Sequence, residues 1–398
     1  MDITIYIEDY KKELNGSYLI WADFVSFATY RDFALNYNLP LPDREFEYRT
    51  MFEISGMHLS KRIYRESYYV LTIKDNVRPI INDESLLFGF SLDLSESNDY
   101  SLKKSDYEPE RFYRNTVDAE ETLENILSNI PDDKPFVRVN NVGQGNWNEL
   151  HLGDNVFLVF DIGTYMLESR KNVRMIIDRF LPPYLTQQRK PILTISHWDK
   201  DHYHCLLEMT PKELSTFSVL VCSSILPSAT AIRARDRIVT LGSVPVVYSP
   251  LKCTKGLYSK VHNWKKGYKG ISLYYGEHYR NVNSSGIQML LASQSGYVLL
   301  TGDAGWYQAS HILNMLPACG FNHEFNIVVP HHGSGKDLTF LGFVLPCGIR
   351  SGIAAISVNK KQNSYRHPAK AVISYLSTLK FNVIRTDKPA VPYIDIKY

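Results

Sequence analysis

The segment Ile195-Ser196-His197-Trp198-Asp199-Lys200-Asp201-His202 constrains this chain more than any other. It directly follows the apolar run Pro191-Ile192-Leu193-Thr194-Ile195, which reads as a buried strand. Four side chains able to bind a metal fall within the six positions 197–202. A single histidine is usually a satisfied core or surface residue. Four titratable groups at the mouth of one strand are costly to bury without a counter-ion. If the extended backbone continues past Ile195, alternation puts His197, Asp199 and Asp201 on one side and turns His202 to the other.

Other segments share the same plan of an apolar strand with a carboxylate or imidazole just beyond it. Asn155 to Phe160 ends in Asp161-Ile162-Gly163, and Gly296 to Leu300 ends in Thr301-Gly302-Asp303. Phe325 to Pro330 ends in His331-His332-Gly333-Ser334, and Gly352 to Ser357 leads to a loop closing at His367. Helical patterns over Val173 to Phe180 and Pro368 to Leu379 separate some of these strands, and Phe381 to Arg385 is a last strand. Strands with helices between them, and polar groups gathered at strand ends, predict a layered α/β domain with its site along one sheet edge.

That domain begins near Pro135. Residues 1–134 form a separate region, rich in Tyr and Phe, in which β-type runs alternate with polar turns. The helical spacing over Ala119 to Ile130, closed by Pro131-Asp132-Asp133, marks the boundary. The first region carries no catalytic constellation and reads as a β-rich accessory region able to contact a partner protein. A length of 398 residues accommodates both parts, and 44% hydrophobic with 22% charged residues is a globular composition. The net charge of +2 excludes a strong global pull on nucleic acid and leaves room for a local basic patch. Five scattered cysteines without a CxxC pair read as reduced thiols. The chain opens without a basic, apolar leader, and its apolar runs are too short to cross a bilayer. These features predict a soluble, cytoplasmic protein that needs no membrane.

In order along residues 136–390, the motifs are Val142-Gly143-Gln144-Gly145, Phe160-Asp161-Ile162-Gly163, Ser196-His197-x-Asp199-x-Asp201-His202 and Asn283 ahead of a strand. Thr301-Gly302-Asp303, Val329-Pro330-His331-His332-Gly333-Ser334, Asn363-x-Tyr365-x-His367-Pro368 and Arg385-Thr386-Asp387 complete the series. Together they resemble the metallo-β-lactamase superfamily, and most nearly its branch typified by the hydrolase domain of the competence protein ComEC. The sequence departs from the usual pattern at Asp199, where most of the superfamily has His, and at Tyr203-His204, where Gly-Gly is common. Asn146 stands where the glycine turn usually ends in Asp, and Arg366 precedes His367 in place of Gly.

The resemblance implies an αββα sandwich holding two divalent ions, Zn or Mn. By that plan His197 and Asp199 hold one ion, Asp201 and His202 the second, Asp303 bridges both, and His332 or His331 completes the set. Asp201 would then be indispensable to catalysis, and Asp161 would brace the ligand loop through hydrogen bonds. The implied chemistry is hydrolysis by a metal-bridged hydroxide, most nearly that of a phosphodiesterase or nuclease. His367 is placed to donate a proton to a leaving group, or else to brace its loop. Ser334 and His331 are placed to contact substrate. Lys265 and Lys266 belong to a run, Lys252 to Lys269, that interleaves cations with Tyr258, Trp264 and Tyr268 and contains no acid. If it is a loop over the cleft, that run suits single-stranded nucleic acid as substrate. Two other readings stay open: hydrolysis of a small phosphodiester or ester, and an inactive partner-binding protein on the same scaffold.

Overall fold

The structure is a computed structural model. It describes all residues except 44–48, 74–76, 83–88, 96–99, 112–113, 132, 250–258, 267–268, 277–282, 284, 317–322, 336–342, 360–365 and 389–391. For 110–111, 259–266 and 269 it describes the backbone alone. Contacts divide the chain into two compact units. One comprises Met1–Arg111, Leu167–Arg174 and Leu226–Arg237; the other comprises Phe112–Met166, Met175–Ile225 and Ile238–Tyr398.

The first unit is built on one seven-stranded sheet. Its order is Ile80–Ile81, Phe90–Asp93, Met51–Met57, Tyr18–Phe24, Asp2–Lys12, Ser67–Ile73 and Tyr100–Lys104. The helix Phe27–Asn36 starts at Ser26, whose hydroxyl accepts the Thr29 N–H at 3.2 Å. Aromatic rings supply much of this core: Phe52 stacks on Phe90 with centroids 4.9 Å apart, and Phe24 and Phe33 pack on the same group. The Tyr- and Phe-rich composition of this region is thus spent on packing.

The second unit is an αββα sandwich, as expected. Its first sheet runs Val246–Tyr248, Val219–Cys222, Ile192–Ile195, Asn155–Phe160, Asn148–Leu152, Pro135–Asn140 and Tyr393–Lys397. Its second runs Ser259–Lys266, Lys269–Tyr275, Ile287–Ala292, Gly296–Leu300, His323–Val328, Ile349–Ile356 and Asn382–Arg385. Val137, Leu150, Leu158 and Ile192 from the first sheet meet Leu273, Met289, Val298 and Val328 from the second in one buried core. On the outer face of the second sheet, the helices Trp306–Asn314 and Lys370–Thr378 bury Ile312, Leu313, Val372 and Leu376 against Leu299, Phe325 and Ile327. The short helix Pro182–Thr186 covers the first sheet through the buried Tyr184.

The helix read as a domain boundary, Ala119–Ser128, contributes Ala119, Leu123 and Leu127 to the core between the sheets. The contact division accordingly falls ahead of it, at Arg111/Phe112. The run read as a loop over the cleft is, from Ser259 to Lys266, a strand paired antiparallel with Lys269–Tyr275 at the edge of the second sheet. The stretch carries Val261 and Trp264, residue types that favour strands, and local β propensity wins over the loop reading. Lys252 and Lys255 lie outside the described residues.

Parallel pairing aligns the strand ends that matter. Asn155–Phe160, Ile192–Ile195 and Val219–Cys222 are parallel neighbours, as are Gly296–Leu300, His323–Val328, Ile349–Ile356 and Asn382–Arg385. Their C-terminal loops therefore emerge along one edge of each sheet. Among the described residues, no helix is long and apolar enough to cross a membrane.

Candidate metal centre

The strand leading to His197 stops at Ile195 because Asp161 captures the next residue. Its Oδ1 accepts the Ser196 N–H at 2.7 Å, and its Oδ2 accepts the Ser196 hydroxyl at 2.9 Å. Asp161 holds a left-handed backbone, φ 62°, which Asp tolerates better than most residues. The chain then turns instead of continuing extended. Asp199 begins a helical turn, Lys200–Tyr203, with the His202 N–H bonded to the Asp199 carbonyl at 2.9 Å. The expected alternation is thereby corrected: helical rise brings His202 back to the side of His197, with ring centroids 4.0 Å apart. Gly163 allows this approach, since a Cβ there would lie 1.9 Å from the Asp201 carbonyl oxygen. Gly302 does the same opposite Ser196, with φ 54° and a Cβ position 2.7 Å from its Oγ.

Three loops meet this segment. The Ile287 N–H binds the Ser196 carbonyl at 2.7 Å, tying the second sheet to the ligand loop of the first. Asp303 comes just after the strand Gly296–Leu300 and is buried. His331 and His332 both sit in the left-handed region, φ 48° and 52°, an uncommon pair that stores backbone strain in this loop. The resulting ligand atoms form two groups. His197, His202 and Asp303 make one, and Asp201, His202 and His332 the other, each within 4.8 Å of one another. His202 Nε2 lies 3.1 Å from Asp303 Oδ1, and His332 Nε2 lies 3.3 Å from Asp201 Oδ2 and 3.8 Å from Asp303 Oδ1. Asp199 Oδ2 is 3.4 Å from His197 Nε2.

The histidine tautomers are set by the outer hydrogen bonds. His332 Nδ1 faces the Ser357 carbonyl at 2.8 Å; a carbonyl only accepts, so Nδ1 carries the proton. His202 Nδ1 likewise donates to Asp161 Oδ2 at 2.7 Å. The one hydroxyl proton of Ser196 is committed to Asp161, so at 2.9 Å its oxygen accepts from His197 Nδ1. All three rings therefore turn Nε2 inward. Those three Nε2 atoms and Asp303 Oδ1 are buried and make no hydrogen bond within the protein. Orphaned acceptors converging in this way fit a divalent cation, with Nδ1 held by a hydrogen-bonded partner as metal-binding histidines require.

Without a cation the charges balance locally. Burial opposes the imidazolium of His202, yet the carboxylates of Asp303, Asp161 and Asp201 outweigh it and hold its pKa well above the usual value. His332 is raised too, against burial, by Asp303 and Asp201. Burial likewise works against the Asp303 carboxylate, and His331, His202 and His332 overcome it, holding the group well below the carboxylate range.

The remaining expected residues are placed around this centre. Half-buried His331 has Nδ1 3.5 Å from Asp303 Oδ2, and its ring meets that of His367 edge to face at 5.7 Å. Ser334 is buried and closes the turn by donating its N–H to the His331 carbonyl at 2.8 Å. Lys265 and Lys266 stand on the edge strand of the second sheet, and Asn363 and Tyr365 lie outside the described residues. Sequence reasoning missed a support beside the centre. Asn146 donates its N–H to the Asp201 carbonyl at 3.1 Å, and its own carbonyl accepts the Gly163 N–H at 2.8 Å. The next residue, Trp147, donates its indole N–H to the Tyr184 hydroxyl at 2.7 Å. Tyr184 in turn donates to Glu149 Oε1 at 2.5 Å, and Glu149 Oε2 pairs with His151 at 2.8 Å. The alternation of Glu149 and His151 with Leu150 and Leu152 was the available signal.

No protein-family profile and no curated protein matches the chain. Among solved structures it is similar to Zn²⁺-bound PqqB from Methylobacterium extorquens, at 7% identity and a TM-score of 0.37, over 66% of this chain and 100% of that one. It is also similar to CmlA, a diiron β-hydroxylase from Streptomyces venezuelae, at 9% identity and a TM-score of 0.37, over 83% of this chain and 69% of that one. The layer order of the second unit rests on the chain's own strand pairing and packing, not on these likenesses.

Proposed function

We propose that this chain is a metal-dependent hydrolase that cleaves phosphodiester bonds, most concretely a nuclease of the ComEC-like type. One observation carries the metal assignment: three imidazoles with Nδ1 occupied point bare Nε2 atoms at one another and at Asp303 and Asp201. His197, His202 and Asp303 would hold one divalent ion, and Asp201 and His332, sharing His202, a second. A bound divalent ion supplies Lewis acidity and lowers the pKa of water to near neutrality.

The chain's own groups do the rest. Asp161 and the Ser357 carbonyl orient His202 and His332, and Ser196 relays Asp161 to His197. Asp201 is the more exposed carboxylate of the pair with Asp303, its side chain 19% exposed against 5%. His367 and His331 lie together at the rim, where an imidazole can hand a proton to a departing oxygen. The eight motifs shared in order with the ComEC-like branch support a phosphodiester substrate. The strand conformation of Ser259–Lys266 removes the argument that a basic loop covers the cleft, which keeps a small diester as the second reading.

The test is metal analysis of purified protein, then incubation with linear, circular and single-stranded nucleic acids and with a small chromogenic diester, with and without Mn²⁺ or Zn²⁺. Metal-dependent cleavage that disappears in Asp201→Ala and Asp303→Ala is the expected result. Cleavage of the small diester alone selects the second reading, and no bound metal sinks both.

A further inference from the structure

Not every ring of the first unit is spent on packing. At one end of its sheet, rings and cations alternate in a row drawn from separate segments of the chain. The Lys12 ammonium lies 5.7 Å from the centre of the Tyr18 ring, and Tyr18 lies 5.8 Å from Tyr10. The Arg65 guanidinium sits 5.1 Å from the Tyr10 ring, and the Lys104 and Arg62 cations sit 5.2 and 5.5 Å from that of Tyr64. Strand pairing sets Lys12 opposite Tyr18 and Lys104 opposite Tyr69, whose hydroxyl accepts the Tyr64 N–H at 2.9 Å. Lys12, Arg62 and Lys104 are exposed, and among the described residues none of them pairs with a carboxylate. Lys11, Lys61 and Lys103 beside them are also exposed and unpaired. Residues 10–12, 61–65 and 103–104 contain no acid. Of the acids that adjoin them, Asp9 is buried against Arg65, Glu13 accepts the Ser17 hydroxyl at 3.0 Å, and Glu66 is half-buried. Exposed Asp106, two residues past Lys104, pairs with none of these cations.

We infer that this row is a binding surface for single-stranded nucleic acid, held through its phosphates. A polymer with one charge and one flat base per unit matches cations set among rings, the pairing that sequence-tolerant single-strand binding uses. The unpaired guanidinium and ammonium groups donate to phosphate oxygens without first breaking an ion pair. Tyr64, 49% exposed, leaves ring surface open to a base. An anionic membrane asks for a broad apolar face among the cations, whereas in the turn 13–17 beside Lys12 the one apolar side chain is Leu14. The surface deepens the nuclease reading, on which it rests for the fate of the strand; the binding itself needs no metal.

Fluorescence anisotropy on the full chain in EDTA, with a labelled single strand of about 20 nucleotides and a series of salt concentrations, tests it. The combined variant Lys12→Gln, Arg62→Gln and Lys104→Gln should bind at least about tenfold more weakly, with a salt slope flatter by about 2, since each phosphate neutralised on a single strand adds about 0.7. All three side chains are exposed, so the variant should fold, and circular dichroism checks this. Poly-glutamate has no bases to stack and should compete at least about tenfold less well than unlabelled strand. Binding in EDTA with no cleavage on addition of Mn²⁺ supports the surface and sinks the nuclease reading alone. Three results overturn the inference: the strand does not bind, whether or not vesicles of phosphatidylserine and phosphatidylcholine do; the folded variant keeps both affinity and salt slope; or poly-glutamate competes as well as the strand.

Discussion

Asp161→Asn separates a brace from a ligand. Asp161 is fully buried and accepts three hydrogen bonds, from the Ser196 N–H and hydroxyl and from His202 Nδ1. Asn keeps the shape and tolerates the left-handed backbone at this position. It offers one acceptor oxygen in place of two. With its amide nitrogen toward Ser196 N–H, donor meets donor at 2.7 Å; with the amide flipped, the clash falls on His202 Nδ1 and the Ser196 hydroxyl. Either way a charge-assisted bond is lost, and such bonds contribute about 1.5–3 kcal/mol each. His202 belongs to both ligand groups, so freeing its ring weakens the whole centre. Loss of an outer partner of a metal-bound histidine typically costs roughly 10–100-fold in affinity. Competition against a chelator of known affinity should show that loss for Zn²⁺ or Mn²⁺, while far-UV circular dichroism stays native. An Asn variant that binds metal as tightly as the unchanged protein refutes the claim that Asp161 sets the His202 tautomer.

Three further outcomes rest on the same geometry. Gly163→Ala forces a methyl group against the Asp201 carbonyl, and overpacking of this kind costs roughly 1–3 kcal/mol, to be read from chemical denaturation; an unchanged midpoint would show the turn to be looser than described. Tyr184→Phe leaves the Trp147 indole N–H and Glu149 Oε1 buried without their partner, at about 1–3 kcal/mol for each unsatisfied group, again visible as a lowered denaturation midpoint. Metal-free protein should lose thermal stability as pH rises. The raised pKa values of His202 and His332 give stability that is complete below the ordinary histidine value of about 6.5 and vanishes as pH climbs through their folded values. The lowered Asp303 and Asp201 act oppositely, adding stability above the ordinary carboxylate value and losing it in acid. The optimum without metal should therefore fall between the ordinary carboxylate and histidine values, near about pH 5–6, and a melting temperature in EDTA that does not fall on the alkaline side of it would contradict the charge balance.

The strands that carry the centre were legible because each is an apolar run closed by a titratable residue. Ile192–Ile195 and Gly296–Leu300 lie where the apolar runs place them, and His323–Val328 begins and ends two residues ahead of the expected Phe325 to Pro330. The path of the chain beyond each strand end was less legible. Nothing in Trp198-Asp199-Lys200 announces a helical turn, which arises from tertiary bonds between Asp161 and Ser196 and from the close approach at Gly163. The carbonyl of Ser357 that fixes His332 leaves no trace in side-chain identity at all. The strand Tyr393–Lys397 pairs with Pro135–Asn140 across more than half the chain, and its short alternation is too weak to read alone. Likewise Leu167–Arg174 and Leu226–Arg237 join the first unit through long-range contacts, with no shift in composition to mark them.

The side-chain arithmetic explains why the centre takes this form. Three imidazoles need three outward partners if all are to present Nε2, and only two come as dedicated acceptors, the Asp161 carboxylate and the Ser357 carbonyl. Ser196 supplies the third by spending its proton on Asp161 and its lone pair on His197, so one hydroxyl orders two rings. Asp161 thereby fixes His202 directly and His197 indirectly. Ser196→Ala should weaken metal binding through His197 while leaving the Asp161–His202 bond intact, a smaller loss than Asp161→Asn produces. If the two variants lose equal affinity, Ser196 and Asp161 act as a single unit and the two-step arrangement is wrong.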